Sequence, residues 1–153
     1  MLKFTFNVAT LCIVSLFMVG CAELFPEPLP QYKSTKLSQE AHTIIFSPSK
    51  PMGCIFVGEI EGRANAVGTR GATIDLLETS AKNDLRNNAV HLKTLGENKR
   101  YIIYIARKTA KCMQYVSGQG TIEIDCYSHL IPKEQKLNPN SYRVYGDIYE
   151  CKW

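Results

Sequence analysis

The side chains best suited to covalent or metal chemistry in this 153-residue chain are six cysteines (Cys12, Cys21, Cys54, Cys112, Cys126 and Cys151) and three histidines (His42, His91 and His129). A thiolate can close a disulfide, ligate zinc or act as a nucleophile. Zinc sites and thiol–disulfide enzymes both favour cysteines two residues apart, and no CxxC occurs here. The histidines are far apart, each without a second ligand nearby. His91 and Asp84 lie seven residues apart, two turns on a helix, where they line up without touching, so they cannot work as a base and its orienting partner. The chain reads as non-enzymatic, with no cofactor and no metal.

The first two cysteines lie in an apolar leader. Lys3 is the only charge before Glu23, and "VATLCIVSLFMVG" supplies about 13 apolar or small residues, the length of a signal-peptide core and short of the roughly 20 that cross a bilayer. Met18-Val19-Gly20-Cys21 resembles the bacterial lipobox, in which the signal is cut before the cysteine and the cysteine is acylated. Met stands where Leu is commoner. The alternative is an ordinary signal peptide that leaves Cys21 as a free thiol. Residues 1–20 are therefore expected to be a lipoprotein signal, and Cys21 the lipidation site and the contact with the bilayer. Several acyl chains, at about 0.8 kcal/mol per buried methylene, make such an anchor nearly permanent. Ala22 rather than Asp after the cysteine points, by similarity to lipoprotein sorting, to the outer membrane with the domain facing the periplasm.

Pro26, Pro28 and Pro30 favour extended backbone, so residues 21–42 read as a lipidated, proline-rich tether and 43–153 as a periplasmic domain. About 110 residues hold one core and not two. The signal carries one of the 18 basic residues and none of the 14 acidic ones, so the mature chain is mildly basic. That balance does not imply nucleic acid, which an exported chain rarely meets. Four cysteines remain in the domain. An even number in an oxidising compartment argues for two disulfides among three connectivities, with a four-thiolate zinc site as the competing reading.

In "TIDLLETSAKNDLRNNAVHLKTLG", Ile74, Leu77, Ala81, Leu85, Ala89, Leu92 and Leu95 recur at spacings of three and four before Gly96. The spacing predicts a helix of about 22 residues, roughly 33 Å long, packed by one face. Glu78 and Lys82 form an i,i+4 pair on its outer side. Candidate strands are 42–46, 54–62, 101–116, 121–131 and 142–151, and "SGQG" turns the third into the fourth. The expected architecture is α+β: an antiparallel sheet of about four strands, one long helix packed across a face, and disulfide staples.

Taken in order, "GCIFVGEIEG", a glycine-rich loop, "AKNDLRNNAVHLKTLG", a β-rich region and a closing "VYGDIYEC" resemble the small bacterial lipoproteins typified by YjeI, over roughly residues 53–151. More remotely, the layout is similar to the outer-membrane stress-sensor lipoprotein of the Rcs phosphorelay, whose domain is also a disulfide-stapled α+β unit behind a tether. The resemblance implies location and fold. The family has no established reaction. Where its members have a small turn after the helix, this chain has "ENKR" and then a long hairpin with Cys112 and Cys126. Each of those cysteines is seven residues from Gln119, so a symmetric hairpin places them opposite each other. Elimination then pairs Cys54 with Cys151, the bond the resemblance also implies.

Three polar stretches remain. "GRANAVGTRGAT" lacks the GK[ST] ending of a phosphate loop, and Asp75 already complements the helix dipole. It reads as a surface loop, with Arg63 and Arg70 as contacts if it meets a partner. In "NDLRNNA", Asp84, Arg86 and Asn87 are possible partner-binding residues, while Asn88, at the edge of the apolar stripe, suits a structural hydrogen bond to a sheet or loop group. Arg107, Lys108 and Lys111 make the long hairpin basic. The function expected is a membrane-anchored envelope lipoprotein, a binding, stress-sensing or structural module whose partners are the bilayer and another envelope protein. The alternative is a carrier of a small ligand or metal in the helix–sheet cleft, with His91 or His129 as a ligand.

Overall fold

A computed structural model describes residues 27–92, 99–128 and 137–152. The signal 1–20, Cys21, Leu95, Gly96 and His129 lie outside these residues. The described chain forms a 3-10 turn (Glu40–Thr43), strands β1 (Ile45–Ser47) and β2 (Ile55–Asn65), helix α1 (Ile74–Leu92), and strands β3 (Lys99–Val116), β4 (Gly120–Asp125) and β5 (Asn138–Lys152). The α+β reading holds, with two disulfides. The sheet has five strands in the order β1-β3-β5-β2, and β4 pairs with β3 beyond the end of β1.

One strand departs from the expected antiparallel pattern: β1 runs parallel to β3, with Ile45 level with Ile102 and Ser47 with Tyr104. No hairpin joins the two, so no turn dictates an antiparallel pair. His42, placed by sequence at the start of this strand, lies in the 3-10 turn before it.

α1 begins at Thr73, whose hydroxyl accepts a hydrogen bond from the Leu76 amide at 3.2 Å, an N-cap. Leu77, Ala81, Leu85 and Ala89 are buried as one stripe against β2 and β5, while Leu92 is 40% exposed. Small residues on the sheet let the helix lie close. A Cβ at Gly62 would overlap the Ala81 carbonyl oxygen and the Leu85 backbone, and one at Gly146 would overlap Ile103. Tyr101, Ile103, Tyr142, Val144 and Ile148 complete the core.

The outer edge of β2 is capped by the helix. Asp84 accepts the Arg63 amide at 2.8 Å and the Asn88 side chain donates to the Glu61 carbonyl at 2.9 Å, so two backbone groups without a neighbouring strand are satisfied. Glu78, read as an outer residue, instead bridges helix and sheet. It pairs with Lys82 and Lys108, both at 2.7 Å, and accepts a hydrogen bond from the Tyr142 hydroxyl at 3.1 Å.

Cys54 bonds Cys151 across 97 residues and Cys112 bonds Cys126 across 14. The hairpin register differs from the symmetric one expected. Val116 pairs with Gly120, with Gly118 at φ 82° inside the turn, so the centre is Gly118 and Cys112 faces Ile124. Cys126 follows β4 and reaches Cys112 diagonally, its amide held by the Ala110 carbonyl at 3.0 Å.

The segment 30–42, read as part of the tether, is docked on the fold. Gln31 bridges Arg70, and Thr35 gives its amide to Ser80 Oγ at 2.8 Å and accepts from Asn83 Nδ2 at 2.9 Å. Asn87 then donates to the Lys36 carbonyl at 3.0 Å and accepts the Ser38 amide at 2.9 Å. The asparagines on the helix thus bind the backbone of the incoming chain, and the folded unit starts near Pro30.

Candidate functional site

Strand alternation sends every second residue of β2, β3 and β5 away from α1, and the paired rows can be read from the register. Phe56 lies beside Tyr149 and Tyr149 beside Ile102. Next come Glu59, Asp147 and Tyr104, then Glu61, Tyr145 and Arg107, then Arg63, Arg143 and Thr109. Among the described residues, no helix covers this side. The face grades from an aromatic end near the Cys54–Cys151 bond to a basic end beside the glycine-rich loop.

At the aromatic end Phe56 and Tyr149 meet edge to face, with ring centroids 5.8 Å apart. The connection 48–54 passes here, its Lys50 ammonium 5.7 Å from the Tyr104 ring and 3.5 Å from Asp147. In the middle of the face a groove of about 400 Å³ is lined by Glu59, Glu61, Ala106, Arg107, Tyr145 and Asp147. The Arg107 guanidinium stacks on the Tyr145 ring at 4.2 Å. Glu61 lies between Arg63 at 2.6 Å and Arg143 at 3.7 Å. The hydrogen bond from Arg63 holds the Glu61 carboxyl below the usual carboxylate range.

This groove offers both signs of charge, a stacking ring and a cation already placed over it. Such a set can recognise an extended polar partner by paired hydrogen bonds and stacking. Among the described residues, no group of three or more His, Cys, Asp or Glu side chains could hold a metal ion.

Of the residues singled out by sequence, Arg63 lies on this face. Arg70 is exposed beside it, its backbone engaged with Pro30 and Tyr32. Asp84 and Asn87 are bonded within the chain as described. Arg86 reaches the His42 carbonyl at 3.4 Å and lies over the Phe46 ring at 5.7 Å, and burial pulls its pKa down. His91 is exposed in the last turn of α1 and His42 is exposed in the 3-10 turn. Tyr145, Asp147 and Arg143 were not singled out, although "YRVYGDIY" carries the signal: Arg143, Tyr145, Asp147 and Tyr149 alternate with Tyr142, Val144, Gly146 and Ile148.

In comparisons with protein-family models, curated proteins and solved structures, nothing matches this chain.

Proposed function

We propose that the protein is an envelope lipoprotein of the outer membrane, acylated at Cys21, whose domain works as a binding module rather than an enzyme and holds another envelope protein on the open sheet face. The observation that carries this reading is the groove over Glu59, Arg107, Tyr145 and Asp147, a polar and aromatic surface that no helix covers among the described residues. The lipobox-like Met18-Val19-Gly20-Cys21 supports the anchoring. A small polar ligand in the same groove is a second reading, favoured by a volume of about 400 Å³, within the range of ligand sites. The helix–sheet cleft does not favour a carrier, because Gly62 and Gly146 bring the helix into direct contact with the sheet.

A photo-crosslinking side chain at Glu59, activated in intact envelopes, tests the module. One discrete protein adduct that disappears with Arg107→Glu is expected. Absence of any adduct, or one indifferent to Arg107→Glu, rejects the face as the binding surface. Intact mass of the mature protein tests the anchor separately, and an unmodified Cys21 rejects it.

A further inference from the structure

Two strand irregularities shape the groove on the open face. The register of β3 with β5 shifts between Ile105 and Arg107, and that of β2 with β5 shifts between Phe56 and Gly58. Each shift leaves one extra residue, Ala106 or Val57, and such a bulge reverses the side on which the following residues point. Unbroken alternation from Tyr104 would turn Lys108 to the open side and Arg107 toward α1. With the bulge, Lys108 reaches Glu78 of the helix and Arg107 lies over Tyr145. The bulge at Val57 likewise turns Ile60 to the core and Glu59 to the open side. Both irregularities therefore aim a charged side chain into one groove.

The remaining charges at the groove are matched within the chain. Glu61 pairs with Arg63 and Arg143, and Asp147 pairs with Lys50, whose ammonium lies on the Tyr104 side. Among the described residues, Glu59 forms no ion pair with a cation and Arg107 none with a carboxylate. Glu59 is also level with Asp147 on the neighbouring strand, and like charges directly opposite are destabilising. A cation from outside relieves that repulsion, and an anion from outside completes Arg107. The two positions are diagonal neighbours, because Glu59 is level with Asp147 and Arg107 lies over Tyr145. Such neighbours stand about 7–8 Å apart. One residue of extended chain spans about 3.3–3.6 Å, so a free amino acid is too short to bridge them and two or three residues are long enough.

We propose that the groove binds a short peptide of two or three residues with both ends free, its ammonium between Glu59 and Asp147 and its carboxylate on Arg107. The proposal rests on the reading of this groove as a small-ligand site. Its volume of about 400 Å³ accommodates such a molecule. Recognition is of the two charged ends, so alanine peptides serve as probes.

The test follows the backbone amide NMR shifts of Tyr145 and Gly146 in the whole mature protein, held in detergent micelles at neutral pH. The probes are alanine, dialanine and trialanine with free ends, and trialanine that is N-acetylated or C-amidated. Dialanine or trialanine should bind about ten-fold more tightly than alanine or either blocked form, the loss expected for one charge-assisted hydrogen bond. Glu59→Gln should remove the preference over the acetylated peptide alone, and Arg107→Gln the preference over the amidated peptide alone. Equal binding of free and blocked trialanine overturns recognition of the ends and leaves a small-ligand groove standing. Sensitivity to one block only makes this a site for a single ion and overturns the proposal too. No shift with any probe overturns it as well, and the crosslink at Glu59 then decides separately whether a protein occupies the groove.

Discussion

On β5, Tyr142, Val144, Gly146 and Ile148 turn toward the helix and are buried, whereas Arg143, Tyr145, Asp147 and Tyr149, alternating with them, turn to the open side. One strand therefore holds two independent sets of residues. The helix side is filled to contact, and a single added methyl at Gly62 has no room. The open side is held by exposed ion pairs and two cation–ring contacts, Arg107 with Tyr145 and Lys50 with Tyr104, whose individual contributions are small. The helix side thus carries stability, and the open side is free to change without unfolding the chain.

The largest expected effect is on the helix side. Leu85 is fully buried at the centre of the apolar stripe, so Leu85→Ala should cost about 2–5 kcal/mol, measured by urea unfolding. A cost under about 1 kcal/mol would mean that the stripe is not core. Gly62→Ala should follow. Replacing glycine ordinarily gains about 0.4–1 kcal/mol through the unfolded chain. Here the new Cβ meets helix backbone that cannot swing aside, so a net loss of about 1–3 kcal/mol is expected. A stabilised Gly62→Ala protein would show that helix and sheet are less tightly apposed than described.

The difference between the two sides also explains what could be read in the sequence. The 3.6-residue stripe reveals the helix, because burial on one face repeats the same residue types at fixed spacing. The hairpin follows from two β-rich runs around "SGQG", and the Cys112–Cys126 pairing is as expected although the turn centres on Gly118 and not on Gln119. The strand at β1 is legible as the candidate 42–46, but its parallel pairing leaves no such trace, since its partner lies far along the chain. The docked segment is also hidden. Its bonds are made by Ser80, Asn83 and Asn87 to backbone groups, and a main-chain carbonyl looks the same in every residue. Two asparagines in mid-helix signal a structural duty without naming the backbone they serve. The open face was half visible: Arg63 and the basic hairpin stood out, but the rows form only when β2, β5 and β3 are placed side by side.

A smaller effect, and one that depends on pH, is expected at Glu78. Partial burial pushes its carboxyl up, but hydrogen bonds from Lys108 and Lys82 outweigh this and bring the pKa from 4.5 to about 2. The group is more acidic folded than unfolded, so its contribution is present above about pH 4.5 and disappears as pH falls toward 2. Unfolding followed across that window should show a loss in the native protein that Glu78→Gln lacks. Equal pH slopes in the two proteins would place Glu78 in solvent and remove the link between helix and sheet.

The smallest stability effect is expected at the proposed binding surface. Arg143 is exposed and its distance to Glu61 is 3.7 Å, so Arg143→Ala should change stability by no more than about 0.5 kcal/mol. Arg107 adds its stack on Tyr145 at 4.2 Å, an exposed cation–ring contact, so Arg107→Ala should cost no more than about 1 kcal/mol. Both variants should unfold within these limits of the native protein, while Arg107→Ala weakens capture by a crosslinker at Glu59. That separation of binding from stability follows from strand alternation, which aims Arg107 away from the packed helix. If Arg107→Ala instead cost as much as Leu85→Ala, the open side would be a second core surface, covered by something in the native protein, and the groove would no longer be available as a reversible binding site.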